Sequence, residues 1–182
     1  MGATRRGDGM SRIYVGLGSN QGDSPAILRQ ALQRLTAVAP GELAAVSSLY
    51  RTAPVGYTQQ PDFYNAVAGF RGEPLPESWL QRLLAVEAEL GRRREGPRWG
   101  PRLVDLDLLA VDEQTRATPH LTLPHPRIRE RRFVLAPWAE IAPAFAPDGE
   151  AAVSDMLADC PDTGRVEPVA GPEWAREPED RP

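Results

Sequence analysis

Two aspartates two residues apart, Asp105 and Asp107, stand in an otherwise apolar run, LVDLDLLAV, at 103–111. In a β-strand, period-two alternation puts both carboxylates on one face and Leu106 and Leu108 on the other. The Cβ atoms of such a pair are roughly 6.6 Å apart at ~3.3 Å of rise per residue. Side chains from that spacing can converge on metal ions ~3.5–4 Å apart. Two carboxylates on a half-buried face repel one another and resist desolvation, so they call for cations. Mg²⁺ or nearby arginines would serve. The pair can equally be read as solvent-facing acids on an open strand face. All-oxygen ligands suit Mg²⁺ better than zinc, and no Cys/His cluster competes.

The neighbouring loop weighs toward a phosphate ligand. Arg98 and Arg102 flank Trp99-Gly100-Pro101 immediately before the acids. Arginine forks bind phosphate oxygens bidentately, and a metal would neutralise the same polyphosphate from its other side. Glycine and proline give such a loop hinges, as a closing lid requires, and Trp99 reads as a lid contact. Arg93 and Arg94 read as solvated. His125 stands between prolines at the head of an arginine run, PHPRIRERR, where it is a reasonable phosphate ligand, whereas His120 has no such support. A second half-site falls at 52–65. Thr52, Val55 and Phe63 offer walls, and Asn65 an amide. With Phe133 this set suits a flat heteroaromatic ring, stacked by aromatics and read at its edge. A plain half-buried strand explains 63–70 as well. GLGSNQGD is only a weak glycine-rich phosphate loop. A Walker-type loop is absent and would need the lysine this chain lacks.

These residues need elements to hold them. RIYVGL at 12–17 reads as a strand ending in the turn cluster Gly18–Asp23. Ser24-Pro25 starts an amphipathic helix carrying Ile27, Leu28, Ala31, Leu32 and Leu35, ended by Pro40-Gly41. Strands follow at 43–51 and 63–70, separated by the irregular TAPVGYTQQPD. A second helix carries Trp79, Leu80, Leu83, Leu84 and Leu90, with Gly91 as its C-cap. The acidic run at 103–111 is the fourth strand. The order β-α-β-β-α-β predicts an α+β, ferredoxin-like fold in which two helices cover one face of an antiparallel sheet. Short irregular elements are expected from 117 to 159. Residues 1–10 and the proline- and acid-rich 161–182 are expected to be disordered, leaving one domain at 11–160.

Composition sets the frame. The chain has 182 residues, one cysteine and a formal net charge of −4. All 21 basic residues are arginine, a bias that a GC-rich genome explains. Their clustering at 92–102 and 127–132 in an acidic chain instead suggests a local anionic ligand. The lone Cys160 cannot form an internal disulfide, and neither a signal peptide nor a bilayer-spanning run is evident. A cytoplasmic protein, bound to neither nucleic acid nor membrane, is expected.

Taken together, YVGLGSNQGD, SSLYRTAPVG followed by QPDFYNAV, RWGPRLVDLDLL and LTLPHPRIRERRFVLAPWAEIAP resemble the 6-hydroxymethyl-7,8-dihydropterin pyrophosphokinases of folate biosynthesis, from about Ile13 to Asp148. The resemblance implies transfer of pyrophosphate from ATP to the pterin hydroxymethyl group with release of AMP. It implies two Mg²⁺ ions on Asp105 and Asp107, with Arg92 and Arg102 acting as catalytic clamps. It implies a pterin pocket of Thr52, Ala53, Val55, Phe63, Asn65 and Phe133, with the two phenylalanines stacking the ring. Glu87, Arg92, Arg98, Trp99, Thr122, His125 and Arg131 match positions associated with ATP. A monomer is expected. His120 stands where some relatives carry arginine, and Ala53 where relatives carry proline. Two rival readings remain. One is another Mg²⁺-dependent phosphoryl or nucleotidyl transferase on the same fold, which has no reason to keep the aromatic pair with Asn65. The other is an RNA-binding module, which needs exposed aromatics on a basic sheet.

Overall fold

The computed structural model describes residues 10–92 and 100–176. Nine residues, Ser11–Ser19, form the central strand β1, buried from Ile13 onward. Asp23 caps helix α1 (Ser24–Val38), its carboxylate accepting from the Ala26 N–H at 3.1 Å, with proline in the first turn. Strands β2 (Gly41–Val46), β3 (Leu49–Thr52) and β4 (Phe63–Gly72) lead to helix α2 (Pro76–Glu89). Strand β5 (Asp105–Val111) completes the series. A small hairpin, β6 (Arg116–Ala117) and β7 (Thr122–Leu123), follows, then helices α3 (Arg132–Ile141) and α4 (Val153–Ala158) and strand β8 (Val166–Ala170). The main sheet is antiparallel in every pairing, ordered β5-β1-β4-β3-β8, with β2 also paired to β4.

Where the sequence suggests one strand over 43–51, the chain breaks at Ser47-Ser48. Ser47 still pairs with β4, its N–H donating to the Val67 carbonyl at 2.9 Å. Ser48 instead turns to α3, where the Glu140 carboxylate accepts from its N–H and its hydroxyl.

Both faces of the sheet are covered. One core joins α1 and α2 to the sheet through Ile13, Val15, Leu17, Leu28, Leu35, Phe70, Trp79 and Leu83. A second core, built from Tyr14, Val67, Leu109 and Ala110 against Leu135, Trp138, Phe145, Val153 and Met156, lies under α3 and α4. Helices α1 and α2 share one face as expected, whereas the expectation of irregular structure after 117 is corrected, since α3 and α4 cover the other. Continuous apolar runs such as those in β1 and β5 are those of strands buried on both sides. Pro137 inside α3 hides that helix from a reading by proline punctuation.

The expectation of an unstructured tail is corrected for Pro161–Arg176. Strand β8 pairs along β3, from Leu49↔Ala170 to Thr52↔Val166. Beyond it Trp174 is 5% exposed in the first core, its indole N–H donating to the Ser47 carbonyl at 2.9 Å. Proline and acid content hides this segment, yet Pro168 sits on an edge strand, where a missing N–H is tolerated. The expected disorder of 1–9 and 177–182 lies outside the described residues.

Candidate active site

The strands bring one end of the sheet to a point. Thr52 ends β3, Phe63 begins β4 and Asp105 begins β5, while β1 runs between the last two. In register, Gly18 lies between Asn65 on one side and Asp105 on the other, and Gly16 between Val67 and Asp107. A cleft opens over this end, lined by Gly16, Gly18, Thr52, Ala53, Val55, Phe63, Asn65, Arg102, Asp105, Asp107, Arg131 and Phe133. The two half-sites suggested by sequence, acids at 105–107 and an aromatic–amide wall at 52–65, therefore share one cavity.

On the amide side, Asn65 and Thr52 are both buried, and the Asn65 Nδ2 donates to the Thr52 Oγ1 at 2.7 Å. That bond fixes which way the amide faces, leaving the rest of its donor and acceptor capacity to the cleft. Phe63 and Phe133 are half-buried and reach the cleft from β4 and from the first turn of α3.

On the acidic side, Asp105 and Asp107 alternate with buried Leu106 and Leu108. Asp105 receives Arg92 at 2.7 Å and also Arg102, and Arg131 approaches Asp107 at 3.4 Å. Arg92 also pairs with Glu87, so three arginines here face three acids, and Asp107 remains strained electrostatically. Burial pushes its carboxyl well above the usual carboxylate range, and the charge of Asp105 adds to the push. Asp107 held in this state has unmet need for positive charge, and the donors of both aspartates are hard oxygens. The pair fits Mg²⁺, which characteristically takes one or two protein carboxylates and completes its shell with phosphate oxygens and water.

Glu87 does not line the cleft. It is 2% exposed at the end of α2, where its carboxylate accepts from the Leu106 N–H at 2.8 Å and ion-pairs with Arg92. It fixes the start of β5 and holds Arg92 toward Asp105, so Arg92 already stands at the acids without any loop closure. His125 is anchored through its backbone, its N–H donating to the Leu109 carbonyl at 3.0 Å. Leu109 is the extra residue of a bulge, since Tyr14 pairs with Ala110 and Val15 with Leu108. The His125 Nδ1 accepts from the Arg127 N–H at 3.3 Å, so the neutral ring carries its proton on Nε2. Burial, then the Arg131 charge, lowers its pKa to about 4. Thr122, on β7, is exposed, as is His120. Arg98 and Trp99 lie outside the described residues, with Arg93 and Arg94.

Several contributors escape a reading by residue type. Gly16 and Gly18 form the floor of the cleft: a Cβ on Gly18 would stand 2.9 Å from the Asn65 Oδ1. Asn20, 5% exposed, exchanges two hydrogen bonds with the backbone of Arg102, at 3.0 and 2.8 Å. Its Nδ2 also donates to Gln60 Oε1 at 3.0 Å and to the Pro61 carbonyl at 3.1 Å. One side chain thus ties the arginine loop to the aromatic wall. Two cues were available, the alternating glycines of GLGS and a polar residue directly after a buried strand.

Comparison with known proteins places this cleft in context. The family model for 7,8-dihydro-6-hydroxymethylpterin-pyrophosphokinase matches residues 14–143. A 2-amino-4-hydroxy-6-hydroxymethyldihydropteridine pyrophosphokinase of Methylorubrum extorquens is 45% identical over 160 residues, 87% of this chain and 100% of the relative. The Bacillus subtilis enzyme of the same name is 43% identical, over 79% of this chain and 85% of its own. Among solved structures, Plasmodium falciparum HPPK-DHPS with pteroate is similar in fold, with a TM-score of 0.66 at 12% identity over 82% of this chain. The matched part is 42% of that longer chain.

Proposed function

The chain belongs to the 7,8-dihydro-6-hydroxymethylpterin-pyrophosphokinase family, and on that premise we propose how its cleft performs the reaction. The enzyme transfers pyrophosphate from ATP to the hydroxymethyl group of 6-hydroxymethyl-7,8-dihydropterin in folate biosynthesis. The observation that carries the assignment of roles is the junction of two chemistries in one cavity. An amide–aromatic wall stands on one side and a carboxylate pair among arginines on the other.

The pterin lies between Phe63 and Phe133, its edge read by Asn65, with Thr52, Ala53 and Val55 closing the wall. This directs the hydroxymethyl group toward Asp105 and Asp107. These acids would hold two Mg²⁺ ions. Bound there, the ions would neutralise phosphate charge and make an alcohol proton easier to lose. The hydroxymethyl oxygen attacks the β-phosphorus and loses its proton to solvent water. The bond from that phosphorus to the α–β bridging oxygen breaks, and its electron pair leaves with AMP. Arg92, Arg102 and Arg131 stabilise the charge that spreads over the phosphate oxygens, and Arg98 and Trp99 are further ATP contacts. Neutral His125 offers its Nε2 proton to a phosphate oxygen. Glu87 keeps Arg92 in place, and Thr122 belongs to the nucleotide's surroundings. Positioning and electrostatics supply most of the acceleration.

Counting β2 and β3 as one broken strand, the order β5-β1-β4-β2/β3 supports the ferredoxin-like reading. A monomeric enzyme of the cytoplasm completes the proposal, in keeping with its single free cysteine. The reaction is tested by incubating the protein with ATP, Mg²⁺ and 6-hydroxymethyl-7,8-dihydropterin and separating the nucleotides. AMP formed one-for-one with pterin diphosphate is expected; ADP would overturn pyrophosphoryl transfer.

A further inference from the structure

The segment after α4 touches the pterin wall at three places, although none of its residues lines the cleft. The Asp162 Oδ2 accepts from the Arg132 N–H at 3.3 Å, one residue before Phe133. The Arg165 carbonyl accepts from the Ala53 N–H at 3.0 Å, which extends the β3–β8 pairing into the wall itself. The Arg165 guanidinium ion-pairs with Asp62, one residue before Phe63. Asp162 also turns its own loop, its Oδ1 accepting from the Gly164 N–H at 2.8 Å. Arg51, on β3, adds to the same network through Asp62 at 3.8 Å and Glu167 at 3.3 Å.

Phe63 and Phe133 come from elements far apart in the chain, and neither has a ring partner among the described aromatic pairs. Phe133 packs against the second core and has the Arg131 guanidinium 5.8 Å over its ring, so the gap between the two rings also depends on where their backbones are held. Residues 162–165 link the flanks of both, through the Arg132 N–H beside Phe133 and the Asp62 carboxylate beside Phe63. We propose that Asp162 and Arg165 are positioning residues for the pterin: a C-terminal strap that sets the spacing of the two stacking rings and the place of Ala53. The proposal rests on the pterin assignment made above. The Arg165 arm touches only Asp62 and Ala53 on the pterin wall, so its loss leaves ATP unaffected, whereas the Asp162 arm holds the peptide between Arg131 and Arg132 and so also borders the acid–arginine half.

The test is pterin and ATP-analogue affinity, with kcat and the KM for pterin, in Asp162→Ala, Arg165→Ala and the double variant. Loss of one hydrogen bond to a charged acceptor, or of a half-exposed ion pair, corresponds to a roughly three- to tenfold weaker pterin complex. The KM for pterin rises by the same factor, while in Arg165→Ala the affinity for a non-hydrolysable ATP analogue stays within about twofold. Arg165→Lys, which keeps the charge and the backbone carbonyl, restores most of the pterin affinity. In Arg165→Ala, equal weakening of both ligands, or no change in either, would overturn the strap. Asn65→Ala run in parallel separates the two claims. If Asn65→Ala binds pterin like the wild type, the pocket assignment fails; if only the strap variants do, the strap alone fails. Complete removal of 161–182 is a poorer test, because Trp174 belongs to the core.

Discussion

His125 carries a charge question that the cleft answers by burial. Its pKa is lowered to about 4 from an ordinary 6.5, first by burial and then by the Arg131 charge. A histidine lowered in the fold binds fewer protons folded than unfolded between those two values. Its contribution to stability is therefore complete above about pH 6.5, shrinks as the pH falls, and is gone near pH 4. Asp107, raised in the fold, acts in the opposite direction over an overlapping window, so a difference measurement is needed. The stability of the wild type relative to His125→Asn is expected to fall by about 2–3 kcal/mol between pH 7 and pH 4. Urea unfolding at several pH values measures it; a pH-independent difference would show that the ring is not held neutral. At this scale the sequence was informative wherever residue type and spacing decide. The i, i+2 acids share a strand face, as alternation requires. Asn20 was read as part of a turn, since its role depends on the Arg102 and Pro61 backbones, which are remote in sequence.

Among the elements, β1 does most to shape the site, because its two glycines leave space where side chains would otherwise stand. A Cβ on Gly18 meets the Asn65 Oδ1 at 2.9 Å, whereas one on Gly16 meets only the Leu109 Cδ2 at 3.4 Å. Gly18→Ala is therefore expected to displace the Asn65 amide and weaken pterin binding by about ten- to a hundredfold, equivalent to an overpacking cost of ~1–3 kcal/mol. Gly16→Ala should leave binding near the wild-type level. Titration of both variants with pterin decides it, and equal behaviour would remove Gly18 from the floor. Amphipathic α1 and α2 and the strands through β5 were legible from periodicity alone. The break between β2 and β3 was not, because Ser47 stays in the ladder while Glu140, from distant α3, takes Ser48. Nor was β8, whose short proline-containing run becomes a strand only beside β3.

For the whole molecule, the sheet sealed by helices on both faces leaves one end where a polar cleft can exist, and strands from across the chain deliver their ends there. A net charge of −4 is compatible with binding polyphosphate because the arginines are concentrated beside the two aspartates proposed to hold Mg²⁺. Linkage of a pterin wall to a phosphate site could be anticipated from the family resemblance; the contribution of the C-terminal segment to that wall required the folded chain. The central claim is that Asp105 and Asp107 together assemble the metal site on ATP. Counting Mn²⁺ bound in the presence of a non-hydrolysable ATP analogue, by the loss of its free-ion electron paramagnetic resonance signal, tests this directly. The wild type is expected to take up two ions per chain. Asp107→Ala, with its unfolding transition intact, is expected to take up no more than one and to lose nearly all turnover. Retention of both ions by Asp107→Ala would contradict the assignment.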